Sequence, residues 1–178
     1  MGQTHQDAAA NLSATQQFLT FSLSGEMFGV GILTVKEIIE YGEVTEIPMV
    51  PAFICGVINL RGAVVPVIDL AARFGNTPTI PSRRTCIIIL EIRHEDSTQT
   101  LGVLVDSVSA VLDIPTSEIE PPPAFGARIR ADFIVGMGKV DGHFVILLDI
   151  ERVLSVDEIA TLASLGESDT SEAVSASL

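Results

Sequence analysis

An internal repeat restricts this chain more than any other feature. Residues 54–70 and 134–150 align without a gap at a constant offset of 80. They read ICGVINLRGAVVPVIDL and IVGMGKVDGHFVILLDI, with five of 17 places identical: Ile54/Ile134, Gly56/Gly136, Gly62/Gly142, Val65/Val145 and Asp69/Asp149. Ordinary residue usage gives about one identity by chance. A weaker echo precedes each copy, Phe28-Gly29-Val30 in one and Leu101-Gly102-Val103 in the other, and each stretch then runs to a proline, Pro48 or Pro115. The repeat predicts two similar β-rich halves, near 18–82 and 83–150. Each half holds roughly five short strands, too few to bury a deep core alone. Closing each sheet into a small barrel protects its edges, and packing the barrels together buries their remaining apolar faces. The expected fold is all-β with minor α: two five-stranded barrels on a shared core. The repeat leaves open whether a strand is exchanged between halves.

Local patterns fill in this frame. Phe18 to Leu23 alternates apolar and polar residues, the sign of a half-buried strand, and Ser24-Gly25 turns into a second strand at Met27 to Val30. Ile32 to Ile39 reads as a short helix running into a strand. Cys55 to Ile58 and Ala63 to Ile68 are strands around Asn59-Leu60-Arg61-Gly62, and Cys86 to Ile92 is a buried β-branched run. His94 to Thr100 reads as a polar loop. Leu101 to Leu112 is apolar with a break at Asp106-Ser107. Pro121-Pro122-Pro123 excludes helix and central strand and is a rigid linker. Asp141-Gly142 is a type I′ hairpin signal. Ser155 and Glu158 form a capping box for a helix over 155–165 that Gly166 stops. Residues 1–17 and 166–178 are polar, without period, and are expected to be flexible tails around a body at 18–165.

Composition excludes several functions. Apolar residues make up 47% and charged residues 19%, so general disorder is excluded. No apolar run reaches the ~18 residues of a membrane span; the richest, Ile54 to Leu70, is broken by Asn59, Arg61, Pro66 and Asp69. The surplus apolar surface is therefore core or a protein-binding face. The net charge is −13, and setting aside the tail acids Asp7, Glu167, Asp169 and Glu172 leaves 19 acidic against 10 basic residues. An anionic body argues against nucleic acid or anionic lipid as partner. The N-terminus carries neither a secretory signal nor a complete myristoylation pattern, so a cytoplasmic location is expected. Cys55 and Cys86 fit neither a disulfide framework nor a zinc spacing and are read as two buried thiols.

The repeat also sorts the candidate chemical residues, because a residue kept in both halves is structural by default. Asp69 and Asp149 match, each before a helix-like run. They are either a carboxylate pair for acid–base work or two N-caps, and the caps are preferred. Gly62 and Gly142 are turn glycines. Arg61 departs from the symmetry, because its counterpart is Asp141. It is either an ordinary surface arginine or a recognition arginine on a rigid turn. His5, His94 and His143 are scattered without metal-ligand spacing. No nucleophile elbow, phosphate loop or dinucleotide fingerprint occurs, so no catalytic residue, cofactor or metal is expected.

Four stretches carry a family resemblance: FLTFSLSGEMFGVGILTVKEII, IPMVPAFICGVINLRGAVVPVIDL, LGVLVDSVSAVLDI and IVGMGKVDGHFVILLDIERVL. In this order across 18–165 they resemble the CheW family of chemotaxis coupling proteins, most specifically in Gly56-Val57-Ile58-Asn59-Leu60-Arg61-Gly62 leading to Val65-Pro66-Val67-Ile68-Asp69-Leu70. The resemblance implies two five-stranded SH3-like barrels and no enzymatic activity. It implies two partners, the cytoplasmic tip of methyl-accepting chemoreceptors and the regulatory domain of the histidine kinase CheA, and recruitment to membrane-associated receptor arrays. Carried over by position, Val35, Glu37, Arg61, Cys86 and Ile87 correspond to receptor-binding residues, and Val44, Ile47 and Gly56 to a kinase-binding region. Gly31 stands where the family often has aspartate, and Cys86 where it often has a larger residue.

Two other readings compete. A small-ligand barrel or cryptic enzyme would need a pocket with converging polar groups. A module of a longer signalling protein would need room for further domains, and the acidic, serine-rich stretch after Leu165 is read as ending a stand-alone adaptor.

Overall fold

The computed structural model describes residues 15–94, 96–122 and 131–154, and is built mainly of strands. In chain order these are β1 (Thr15–Leu23), β2 (Glu26–Gly31), β3 (Val35–Glu40), β4 (Ile54–Leu60), β5 (Ala63–Asp69), β6 (Cys86–His94), β7 (Ser97–Val105), β8 (Ser107–Pro115), β9 (Ile119–Glu120), β10 (Ile134–Val140) and β11 (His143–Leu148). Two single-turn helices, α1 (Leu70–Arg73) and α2 (Ile150–Val153), follow β5 and β11. A 3-10 turn over Ile32–Thr34 leads into β3, in agreement with the short helix expected there.

The strands form two sheets. One has five strands in the order β3-β6-β7-β5-β4; the other has six in the order β8-β1-β2-β11-β10-β9, the sixth being only two residues long. Each has its own interior. Ile58, Val65, Val67, Ile87, Ile89 and Leu104 fill the five-stranded barrel, while Phe18, Ile114, Val145 and Leu147 fill the other. A third and larger apolar cluster lies between them. It includes Phe28, Leu70, Ile88, Leu90, Leu101, Val103, Ile150 and a file of rings in which Phe21–Phe28, Phe28–Phe74 and Phe74–Phe133 have centroids 6.0, 5.7 and 6.2 Å apart. Full burial of a side chain of this size contributes about 1.5–3 kcal/mol. The shared cluster is therefore where most of the stabilising burial sits.

The sheets do not follow the sequence halves near 18–82 and 83–150. The hairpin β1–β2 belongs to the sheet of β8 to β11, and the hairpin β6–β7 to the sheet of β3 to β5. The halves have exchanged their first hairpins. Equivalent pairings recur: β5 runs parallel to β7, and β11 parallel to β2. The chain passes between the sheets at two junctions. The 3-10 turn at Ile32–Thr34 redirects the chain after β2, and Asp106 separates β7 from β8. Asp106 ties that crossover to the exchanged hairpin, donating its N–H to Ser22 O (3.1 Å) and accepting from Ser24 N–H at Oδ2 (2.9 Å).

Other expectations need adjustment. Thr15 to Gln17, assigned to the tail, pair with Pro115, Ile114 and Asp113 as the start of β1. The polar stretch His94 to Thr100 is not a loop: His94 pairs with Ser97 and Glu91 with Thr100 in one long hairpin. Cross-strand pairing there lets polar side chains project from a regular ladder. Pro121 and Pro122 lie outside helix and strand as expected, whereas Pro123, the helix proposed over 155–165 and the C-terminal tail fall outside the described residues.

Both aspartates cap the helices that follow them. Asp69 is 4% exposed, and its carboxylate accepts from Ala71 N, Ala72 N, Thr79 N and Thr79 Oγ1 at 3.0, 3.4, 2.8 and 2.9 Å. Asp149 accepts from Arg152 N at 3.4 Å and is half-buried. Removing a buried acceptor leaves its donors without partners, whereas an exposed donor returns to water. Asp69→Ala is expected to cost about 3 kcal/mol and Asp149→Ala about 0.5–1 kcal/mol in urea unfolding. Equal losses would contradict this asymmetry.

Candidate functional site

The most distinctive polar arrangement lies on the five-stranded barrel. Arg61 and Gly62 form the β4–β5 turn with φ of 54° and 88°, the left-handed pair of a type I′ hairpin. Asn59 Oδ1 accepts from Gly62 N–H at 2.9 Å and braces the turn. Glu37 sits on β3 just after a register shift between Val35 and Glu37 and pairs across the ladder with Ile89. The two side chains meet, although 24 residues apart in sequence. Arg61 Nη1 donates to Glu37 Oε2 at 2.8 Å and Nη2 to Oε1 at 3.2 Å.

The two side chains are 74% and 22% exposed, respectively. An ion pair this exposed adds about 0–1 kcal/mol to stability. Its chief effect is direction: the two-pronged contact holds the guanidinium plane, and the donors not used by Glu37 face outward. Exposed apolar side chains lie on the same segments, Leu33 before β3 and Val64 on β5, whereas Ile38 projects from the face of β3 opposite Glu37. Exposed aliphatic side chains and a held cation on the same barrel suit recognition of another protein better than bond-making chemistry.

The remaining candidates divide by strand face. Val35 and Cys86 are half-buried at the margin of the cluster between the barrels. Ile87 points the other way, 1% exposed inside the five-stranded barrel, so it cannot touch a partner and its assignment as a receptor contact is corrected. Successive side chains on a strand point to opposite faces, so Cys86 and Ile87 cannot share one surface. Gly56 lies on β4 against the segment before it, where Thr45 and Val57 exchange backbone hydrogen bonds of 2.9 Å. A Cβ placed on Gly56 would come 3.0 Å from Val44 Cγ1, so these two candidates are neighbours. Ile47 is half-buried on the irregular chain beyond them.

The thiols are not fully buried as expected. Both are free and half-buried, Cys55 against the five-stranded interior and Cys86 against the central cluster. Burial, followed by the nearby Asp69 carboxylate, pushes the Cys55 thiol up from 9.0 to about 12. Since the thiolate is the nucleophile, Cys55 is expected to react with iodoacetamide near pH 8 roughly 1,000-fold more slowly in the folded than in the urea-unfolded chain. Comparable rates would show that the site opens freely. The same shift makes its contribution to stability complete below pH 9.0 and lost as pH rises towards about 12, because the unfolded thiol ionises first.

Sequence reasoning missed one residue of note. Arg73, at the end of α1, lies with Cζ 5.2 Å from the Phe53 ring centroid and 4.9 Å from that of Phe133, and its Nε donates to Val153 O at 2.8 Å. Phe53 and Phe133 extend the 80-residue repeat by one place, which was the available signal.

No group of three or more His, Cys, Asp or Glu able to hold a metal occurs among the described residues. Nor is any described helix long and apolar enough to cross a membrane.

Comparison with known proteins follows the same direction. A family model described as CheW-like domain matches residues 17–158. The chain is 37% identical over 153 residues to the chemotaxis protein CheW of Klebsiella aerogenes, covering 86% of this chain and 90% of that protein. It is 36% identical over 143 residues to the probable chemotaxis protein CheW of Rhizobium etli, covering 80% and 90%. Among solved structures, the scaffolding protein TtCheW from Thermoanaerobacter tengcongensis matches with a TM-score of 0.72 at 37% identity, covering 80% of this chain and 90% of that one.

Proposed function

The chain belongs to the CheW-like family of chemotaxis scaffold proteins, and on that premise we propose that it is a non-enzymatic adaptor between chemoreceptors and a histidine kinase. One partner is the cytoplasmic tip of methyl-accepting receptors; the other is the regulatory domain of the kinase CheA. Binding both recruits the protein to membrane-associated arrays and lets receptor occupancy control kinase autophosphorylation.

The exposed Arg61–Glu37 pair carries this reading. A receptor tip lays an apolar stripe beside Val35 and Cys86 and meets the outward donors of Arg61 at one end. The guanidinium is held before the partner arrives, so less ordering is lost on binding. Val44 and Ile47, half-buried beside the buried Gly56, mark the kinase-facing surface, and Gly56 lies about five residues of strand, or ~17 Å, from the Arg61 turn along β4. That separation leaves room for two partners at once.

Calorimetric titration of the full chain with a receptor cytoplasmic fragment, and separately with the kinase regulatory domain, tests the proposal. Saturable binding of each is expected. Absence of binding to both, by a chain whose folding is confirmed, would overturn it.

A further inference from the structure

The cluster between the barrels is mainly aliphatic and aromatic. Such contact is strong but non-directional, so it holds two faces together without fixing their angle. Arg73 supplies the direction. It leaves α1, on the five-stranded barrel, and gives its Nε–H to Val153 O at the end of α2, on the six-stranded barrel. Its guanidinium lies within 5.2 Å of the Phe53 centroid and 4.9 Å of the Phe133 centroid, one ring from each barrel.

These four residues are two repeat pairs, 53/133 and 73/153. Both rings are anchored alike: Asp69 N–H donates to Phe53 O at 2.7 Å and Asp149 N–H to Phe133 O at 2.8 Å. The symmetry is broken where the cation sits, since the counterpart of Arg73 is the fully buried Val153. Two guanidinium groups could not share the place between the rings without like-charge repulsion; one cation between two ring faces is favourable.

We propose that Arg73 is a positioning residue that sets the angle between the two barrels and so aligns the receptor-facing surface with the rest of the scaffold. Its consequence for signalling rests on the adaptor reading; the geometry does not.

The test uses the full chain with Cys55 and Cys86 replaced by serine and spin labels at Glu91→Cys on β6 and Lys139→Cys on β10, both exposed in the native chain. Electron–electron distance measurements compare Arg73 with Arg73→Met, which keeps the stem, and Arg73→Lys, which keeps the charge. The distance distribution is expected to broaden or shift in R73M and to return towards the native one in R73K, with amide exchange of β1–β2 and β6–β7 unchanged. An unchanged distribution in R73M would overturn the proposal. So would broadening accompanied by loss of amide protection in both hairpins, which is general loosening. In a reconstituted receptor–kinase assembly, R73M should lower kinase activation about tenfold while each pairwise affinity stays within about twofold. If the native chain itself gives no activation, the adaptor reading fails while the distance measurement still decides the role of Arg73.

Discussion

Gly56→Ala is expected to lower the unfolding midpoint by about 8–16 °C, from a loss of about 4 kcal/mol. Gly56 has φ of +147°, a region L-residues avoid, and an added Cβ would lie 2.0 Å from Thr45 O and 2.7 Å from Thr45 C. Both obstructing atoms are backbone, so no rotamer change relieves them. Either β4 or the segment around Thr45 must move, and the two hydrogen bonds between Thr45 and Val57 go with it. The repeat supplies an internal control. At Gly136 an added Cβ would meet Ile119 Cγ2 at 2.5 Å and Glu120 O at 2.9 Å, without a positive φ. A side chain and a two-residue strand give way more easily, so Gly136→Ala is expected to cost about half as much. Calorimetric melts of both variants check this. A shift below about 2 °C for Gly56→Ala would show that the segment before β4 is not packed as described.

Reversing the charge of Arg61 should strike binding rather than stability. Arg61→Glu places a second carboxylate beside Glu37 and removes the outward donors. The pair is exposed, so the fold should lose no more than about 1 kcal/mol. Receptor-fragment affinity should fall about 30-fold or more, the range for replacing a charged anchor by a group of opposite sign. Affinity for the kinase regulatory domain should stay within about threefold if the second surface is separate. The double swap Glu37→Arg with Arg61→Glu decides between two roles for the pair. It restores an ion pair but moves the guanidinium from the turn to the strand. If the partner reads the cation's position, receptor affinity stays low in the swap. Full recovery would mean that the pair acts only as a local brace.

The extent to which this structure was legible depended on whether a feature was local or tertiary. Turns were legible, because Ser24-Gly25, Arg61-Gly62 and Asp141-Gly142 each carry their own chemistry and all take paired positive φ values. The caps at Asp69 and Asp149 were legible from the repeat. The hairpin exchange was not, since β1–β2 and β6–β7 have the same apolar character whichever sheet receives them; the chain crosses between sheets at the turn at Ile32–Thr34 and at the Asp106 junction. Ile87 was misplaced for a related reason. Ile87, Ile88, Ile89 and Leu90 are all buried, so β6 has no alternation from which to tell its two faces. Glu37 and Arg61 were both singled out by family resemblance, but their contact needed the fold. Arg73 was passed over because one arginine at the end of a short run looks like a surface residue until two rings from different barrels are found on it.

In the proposed scaffold, one rigid pair of barrels carries two partners at once. Sedimentation of the full chain with a receptor cytoplasmic fragment and the kinase regulatory domain together tests it most directly. A species containing all three is expected, with Arg61→Glu removing only the receptor fragment from it. Displacement of one partner by the other, with no three-component species at saturating concentrations, would contradict it.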